Sequence, residues 1–223
     1  MMIKTIAVLP VKRFTLAKQR LSAGLDADAR RALAAAMVGD VLQALMEVDE
    51  IDAVVVVSSD EGMLELAADS GAHTVIDRFE DGQSAAAEQG LLHPAAAGGD
   101  RVLLVAGDTP GVDPSQLSQL LRQAAVEPSV LVVPDRHGSG TNALLLTPPG
   151  VIAPAFGPLS CARHVDLATA AGVAVRVEVV TSLGFDVDTP DDLEALCDAI
   201  ADRPDAAPRT RAALAQLAGA STS

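Results

Sequence analysis

The sequence predicts an α/β fold with a mostly parallel sheet covered by helices on both faces. Short runs rich in β-branched residues alternate with longer amphipathic segments, as in consecutive strand–helix units. Polar and charged clusters follow the runs, and the carboxyl ends of strands are where open sheets of this class bind ligands. An Ala-rich apolar fraction of 49% over 223 residues suffices for one packed core.

Ile3 to Pro10 is a buried strand that ends at a proline. The eleven residues from Val11 to Leu21 include four basic ones, among them Lys12, Arg13 and Lys18, in a chain of net charge -14. No GxGxxG and no GxxxxGK[ST] is present, so charge would have to hold an anion there in place of a glycine cradle. A solvated basic turn is the competing reading. Asp26 to Met46 reads as a helix, with Leu33, Met37, Val41 and Leu45 as its apolar stripe. Ile51 to Ser58 is a second buried strand, Gly62 to Ser70 a short helix, and Gly71 to Ile76 a third strand in which His73 is structural.

Asp81-Gly82-Gln83-Ser84 opens a helix that reaches Leu92. Arg101 to Ala106 is a strongly apolar strand that runs into Gly107-Asp108-Thr109-Pro110, ahead of a helix from Pro114 to Ala125. Asp108 is a metal-ligand candidate at a central strand end; simple capping of the turn is the alternative. Ser129 to Pro134 is a further strand. The glycine-rich loop Asp135 to Asn142 follows, with Thr141 and Asn142 as side-chain donors, before strand resumes over Ala143 to Leu146. Ser160 can cap a helix from Cys161 to Ala171, whose first turns carry Arg163 and His164 and whose N-terminus is a second anion site.

Val173 to Val180 reads as a strand leading into Gly184-Phe185-Asp186-Val187-Asp188-Thr189-Pro190-Asp191-Asp192. In an extended strand Asp186 and Asp188 project to one face. Two like charges there repel unless a cation or solvent lies between them, and Mg2+ suits a few carboxylates that leave room for phosphate oxygens. A solvated strand end is the bland alternative. Thr189 as N-cap, Pro190 in the first turn and Asp191 and Asp192 at the positive helix end start the closing helix. Arg203 to Pro208 is rich in breakers, and Thr210 to Leu217 reads as a surface helix.

Composition removes several classes. The net charge disfavours nucleic acid and anionic membrane as partners, and 2% aromatic content without Trp or Tyr removes base-stacking platforms. No apolar run is long enough to span a membrane. Cys161 and Cys197 read as buried thiols in a reducing compartment, so a cytoplasmic location is expected. Acids at strand ends, a cationic loop and anion pockets together suit phosphoryl or nucleotidyl transfer.

These residues resemble the 2-phospho-L-lactate guanylyltransferase family, which includes the phosphoenolpyruvate guanylyltransferases of deazaflavin (coenzyme F-420) biosynthesis. The resemblance lies in P-V-K with A-K-Q-R-L (Pro10 to Leu21), G-D-T-P (Gly107 to Pro110) and P-D-R-H-G-S-G-T-N-A-L (Pro134 to Leu144). F-G-P-L-S with R-H (Phe156 to His164) and G-F-D-V-D-T-P-D-D-L complete it, in family order and over nearly the whole chain to about Ile200. One departure is Gly82-Gln83-Ser84-Ala85 where the family reads G-L-N-A, so Ser84 replaces an Asn expected near the nucleotide.

The resemblance implies a three-layer, Rossmann-related nucleotidyltransferase of glycosyltransferase-A-like type, with residues 1–202 as the catalytic domain and 203–223 as a C-terminal extension, part helical and part frayed. It implies GTP and a small phosphorylated three-carbon acid as partners, with pyrophosphate as leaving group. Asp108, Asp186 and Asp188 would hold Mg2+. Lys12, Arg13 and Lys18 would act on the triphosphate, with Pro10, Ser84 and Asp108 beside the nucleotide. Thr141, Asn142, Gly157 and Ser160 would receive the acceptor. A homodimer is compatible with the sequence and not required by it. Two other readings stand beside this one: a sister enzyme with another nucleotide or acceptor, and a nucleotide-binding domain without catalysis.

Overall fold

The computed structural model describes residues 3–12, 21, 25–125 and 127–220. A seven-stranded sheet forms its centre, in the order β3-β2-β1-β4-β6-β5-β7. β1 (Thr5–Val11) pairs in parallel with β2 (Ala53–Ser58) and with β4 (Arg101–Val105), and β2 pairs in parallel with β3 (His73–Ile76). β6 (Thr141–Thr147) runs antiparallel between β4 and β5 (Ser129–Pro134), and β7 (Ala174–Val177) closes the far edge parallel to β5.

Strand periodicity builds the layers. Ala7, Leu9 and Val11 of β1 join one apolar cluster, and Ile6 and Val8 join the other. The first cluster is completed by α1 (Ala27–Met46), α2 (Glu61–Asp69), α5 (Pro114–Gln123) and α7 (Pro190–Ala199). The second packs under α3 (Gln83–Leu91), the short α4 (Pro94–Ala97) and α6 (Ser160–Ala170). The result is helix–sheet–helix, with the five inner strands buried on both faces as their apolar runs require and the edge strands β3 and β7 largely exposed. No helix among the described residues is long and apolar enough to cross a membrane.

Side-chain caps set several helix starts, Thr189 as the sequence predicts. Asp26 accepts from the Ala29 amide, and Thr189 and Asp192 form a reciprocal capping box ahead of α7. Ser160 differs. It is the first helical residue of α6 and not its cap, which is Leu159 in the left-handed region (φ 58°). β7 stops at Val177, short of the expected Val180, and a 3-10 turn over Thr181–Leu183 follows. Asp186 and Asp188 therefore lie on non-strand backbone. Cys161 is buried as expected, but Cys197 is exposed on α7.

The final helix α8 (Pro208–Ala220) starts earlier than the sequence suggests and docks on α1 instead of lying free on the surface. Buried Asp40 of α1 receives the Arg209 and Thr210 amides at 3.0 and 2.8 Å, acting as a cap supplied from 169 residues away. Asp40→Ala leaves both amides without that acceptor. It is expected to cost about 1–3 kcal/mol and to lower Tm by several degrees. An unchanged melting curve would show that α8 docks by apolar packing alone.

Candidate active site

The direction of the chain reverses at β1 and β4: β2 and β3 lie to one side of β1, and β4 to the other. A crevice opens there beyond the strand ends, as such switch points dictate. It is an open cleft of about 880 Å³. Pro10 and exposed Lys12 border it from β1, and Gly107 and Asp108 from the turn after β4. Because β6 is antiparallel, its first residues arrive at the same edge. Thr141 and Asn142 thus line the cleft as strand residues and not as loop residues. Gly157 and Ser160 form the opposite lip at the start of α6.

Asp186 and Asp188 reach the cleft on backbone that is pinned from both sides. The Val187 amide donates to the Asp108 carbonyl at 3.1 Å, and the Arg136 amide donates to the Gly184 carbonyl at 2.8 Å. Val187 is fully buried between the two acids, so the alternation of a strand survives without the strand. Burial pushes the Asp186 carboxyl up, and the Asp108 and Asp188 carboxylates push it the same way. The Asn142 side-chain amide opposes that shift, lying 3.1 Å from Asp186 Oδ1 and 2.8 Å from the Leu183 carbonyl. Both contacts use Nδ2, so these donors hold a carboxylate in place and do not point at a ligand. No three acids among the described residues close into a preformed metal cage. Three mutually repelling carboxylates facing one cleft are nonetheless hard oxygen donors suited to a cation that keeps part of its shell for other ligands.

The wall at the start of α6 is built on long-range hydrogen bonds. The Cys161 amide donates to the Ser139 carbonyl, which zips the glycine loop to α6, and Asp135 receives the His137 and Ser139 amides to close that loop. Gly157 has φ 113°, a conformation that a side chain would strain. Ser84 does not line the cleft; its hydroxyl accepts from the Phe156 amide at 2.9 Å and so ties α3 to the Phe156–Ser160 lip. Arg163 turns back onto the Pro158 carbonyl. His164, expected beside an anion site, is instead fully buried between Thr141 Oγ1 and the Ala155 amide. His73 sits on the edge strand β3 with its ring 5.1 Å from that of His93.

Of the residues selected from sequence, Pro10, Lys12, Asp108, Thr141, Asn142, Gly157, Ser160, Asp186 and Asp188 meet in this one cleft. Arg13 and Lys18 lie outside the described residues. Sequence reasoning missed Gln83, which borders both the cleft and a smaller cavity of about 90 Å³ that adjoins Lys12, Asp77 and Glu80. No local pattern marks it, because Gln83 reads only as a helix start.

Comparison with known proteins agrees with this geometry. A family model described as "Guanylyl transferase CofC like" matches residues 5–199. A phosphoenolpyruvate guanylyltransferase of Conexibacter woesei is 48% identical over 214 residues, covering 96% of each chain. A 2-phospho-L-lactate guanylyltransferase of Methanothermobacter thermautotrophicus is 36% identical over 190 residues, covering 85% of this chain and 82% of its own. Among solved structures, a putative nucleotide-diphospho-sugar transferase from Desulfovibrio desulfuricans superposes with TM-score 0.73 at 18% identity, covering 95% of this chain and 94% of its own. A nucleotidyl transferase from M. thermautotrophicus superposes at 0.63, also at 18% identity, covering 90% and 98%. The fold is thus the three-layer nucleotidyltransferase type, and the chain belongs to the CofC-like guanylyl transferase family.

Proposed function

We propose that this protein joins GMP from GTP to the phosphate of a small three-carbon phospho-acid, with phosphoenolpyruvate as first choice and 2-phospho-L-lactate as second. The observation that carries the reading is the convergence of Lys12, three carboxylates and the Thr141–Ser160 wall on one cleft at the switch point. The names of the relatives support the acceptor class, and we assign the reaction to deazaflavin coenzyme biosynthesis on the family resemblance. Unpaired Cys161 and Cys197 suit the cytoplasm.

In this reaction an oxygen of the acceptor phosphate attacks the α-phosphorus of GTP. The bond from that phosphorus to the α–β bridging oxygen breaks, and pyrophosphate leaves with the electron pair. The attacking phosphate is already ionised at neutral pH, so no general base is required. That suits a cleft in which His164 is sealed away. Asp108, Asp186 and Asp188 would hold Mg2+, whose charge, when it is bound, offsets that of the two phosphate-bearing substrates. Lys12 pairs with the triphosphate from the end of β1. We assign Arg13 and Lys18, in the basic stretch of sequence that follows Lys12, the same role. Thr141, with Gly157 and Ser160 opposite, receives the acceptor carboxylate.

The test is pyrophosphate release from each nucleoside triphosphate with Mg2+ and phosphoenolpyruvate, 2-phospho-L-lactate or 3-phosphoglycerate. Release is expected with GTP and phosphoenolpyruvate. Release only with another nucleotide would move the protein to a sister activity, and GTP binding without any release would leave it a binding domain.

A further inference from the structure

We propose that His164 is a positioning residue, which fixes the Thr141 hydroxyl as a hydrogen-bond donor toward the carboxylate of the acceptor. The inference rests on the reading that Thr141 faces the acceptor. The Ala155 N–H lies 2.9 Å from His164 Nε2, and a backbone amide can only donate. Nε2 must therefore present its lone pair, so the neutral ring carries its proton on Nδ1. Nδ1 lies 3.0 Å from Thr141 Oγ1. The Thr141 hydroxyl accepts that proton and has to direct its own elsewhere. Thr141 lines the cleft, where an anion is the natural recipient.

The surroundings hold this arrangement. His164 is 0% exposed, one turn beyond Ser160 on α6, with Phe156 packed edge-on at a ring-centroid distance of 5.3 Å. Burial, with a smaller contribution from the Arg163 charge, pushes its imidazole down to about 4, so the ring is neutral at the pH of the reaction. A free hydroxyl rotates its proton among many directions; one that accepts from His164 has that direction closed to its own proton, which is left to turn toward the cleft. The pair thus orients a donor toward an acceptor group such as a carboxylate. With both nitrogens engaged and no exposure, His164 is not a base for the chemistry.

Two substitutions separate its two hydrogen bonds. His164→Gln is expected to keep an acceptor for Ala155 and lose the donor to Thr141. His164→Asn is expected to keep the donor and lose the acceptor. In steady-state assays with GTP and phosphoenolpyruvate, His164→Gln should raise the acceptor KM by roughly ten- to a hundredfold, the scale of a lost hydrogen bond to a charged group, and leave the GTP KM unchanged. His164→Asn should leave the acceptor KM within a few-fold. In a Thr141→Val background, where the hydroxyl is gone, His164→Gln should add nothing further. An unchanged acceptor KM in His164→Gln, or an equal rise with and without the Thr141 hydroxyl, overturns the inference.

If the variants do not fold, long-range 1H–15N spectra of the histidine-labelled natural protein decide the tautomer directly. A protonated Nδ1 with a bare Nε2 at neutral pH is expected; the other tautomer or an imidazolium overturns it. The failure of the parent reading is distinct: no turnover of the natural protein with any of the three acids removes the acceptor, and with it the ligand half of this inference, whatever the spectra show of the hydroxyl.

Discussion

Asp188→Asn and Asp186→Asn are each expected to lower Mg2+-dependent kcat/KM by at least about a hundredfold while the fold stays intact. The amide is nearly isosteric with the carboxylate, so what is lost is charge and hard-oxygen basicity. Both positions border the cleft together with Asp108, and the backbone that carries them is pinned by main-chain hydrogen bonds at Val187 and Gly184. A stability measurement sharpens the test. The Asp186 carboxyl is driven up by burial, by Asp108 and by Asp188, so its charge opposes the metal-free fold. Asp186→Asn should therefore raise Tm in chelator-treated buffer while activity falls, the trade-off of a site held ready for a cation. Retained turnover in both variants would remove the carboxylates from the reaction. A lowered Tm would make Asp186 a structural residue.

How much of this site is legible in sequence depends on the range of the interactions. Strand and helix alternation is local, and the sheet follows it closely; Thr189 caps α7 as read, and Asp192, read only as an acid at the positive helix end, closes a capping box with it. The alternation of Asp186 and Asp188 around Val187 is also local. It survives although the segment is not a strand, because the hydrogen bond from the Val187 amide to the Asp108 carbonyl fixes the backbone between the two acids. Contacts across long separations leave no local trace. Thr141 reads as the end of a glycine loop, and only the antiparallel pairing of β6 with β4 shows that it enters the cleft from a strand. Ser84 reads as a substituted nucleotide contact, yet its partner is an amide 72 residues on. His164 reads as part of a cationic helix start. Two partners, 23 and 9 residues away, make it a buried neutral group.

That buried imidazole also carries the second large expected effect, on stability as the pH falls. His164 titrates near 6.5 when the chain is unfolded and at about 4 when it is folded. Between those values the unfolded chain binds the extra proton, so stability rises with pH across the window and is lost as pH falls through it. The full contribution is present above about pH 6.5. Below about pH 4 roughly 3 kcal/mol of it is gone, equivalent to a Tm drop on the order of ten degrees for a chain of this size. Physically, the imidazolium has no lone pair for the Ala155 amide, and its charge has lost its water. Other groups move stability in the same experiment. His93, also lowered by burial, adds loss in the same direction, whereas Asp186, raised by burial and its neighbours, adds a gain as pH falls. Asp192, Asp113 and Glu50 are held low by their hydrogen bonds and ion pairs, and lose stability only through the carboxylate range. The quantity to measure is therefore a difference: urea or thermal unfolding of the natural protein and of His164→Asn at pH 7 and at pH 4.5. The natural protein should lose more on acidification, with the excess developing between pH 6.5 and 4. Parallel pH profiles for the two would mean that the His164 ring takes up its proton in the folded state as readily as in water, and that the neutral tautomer does not hold the Thr141 side of the cleft.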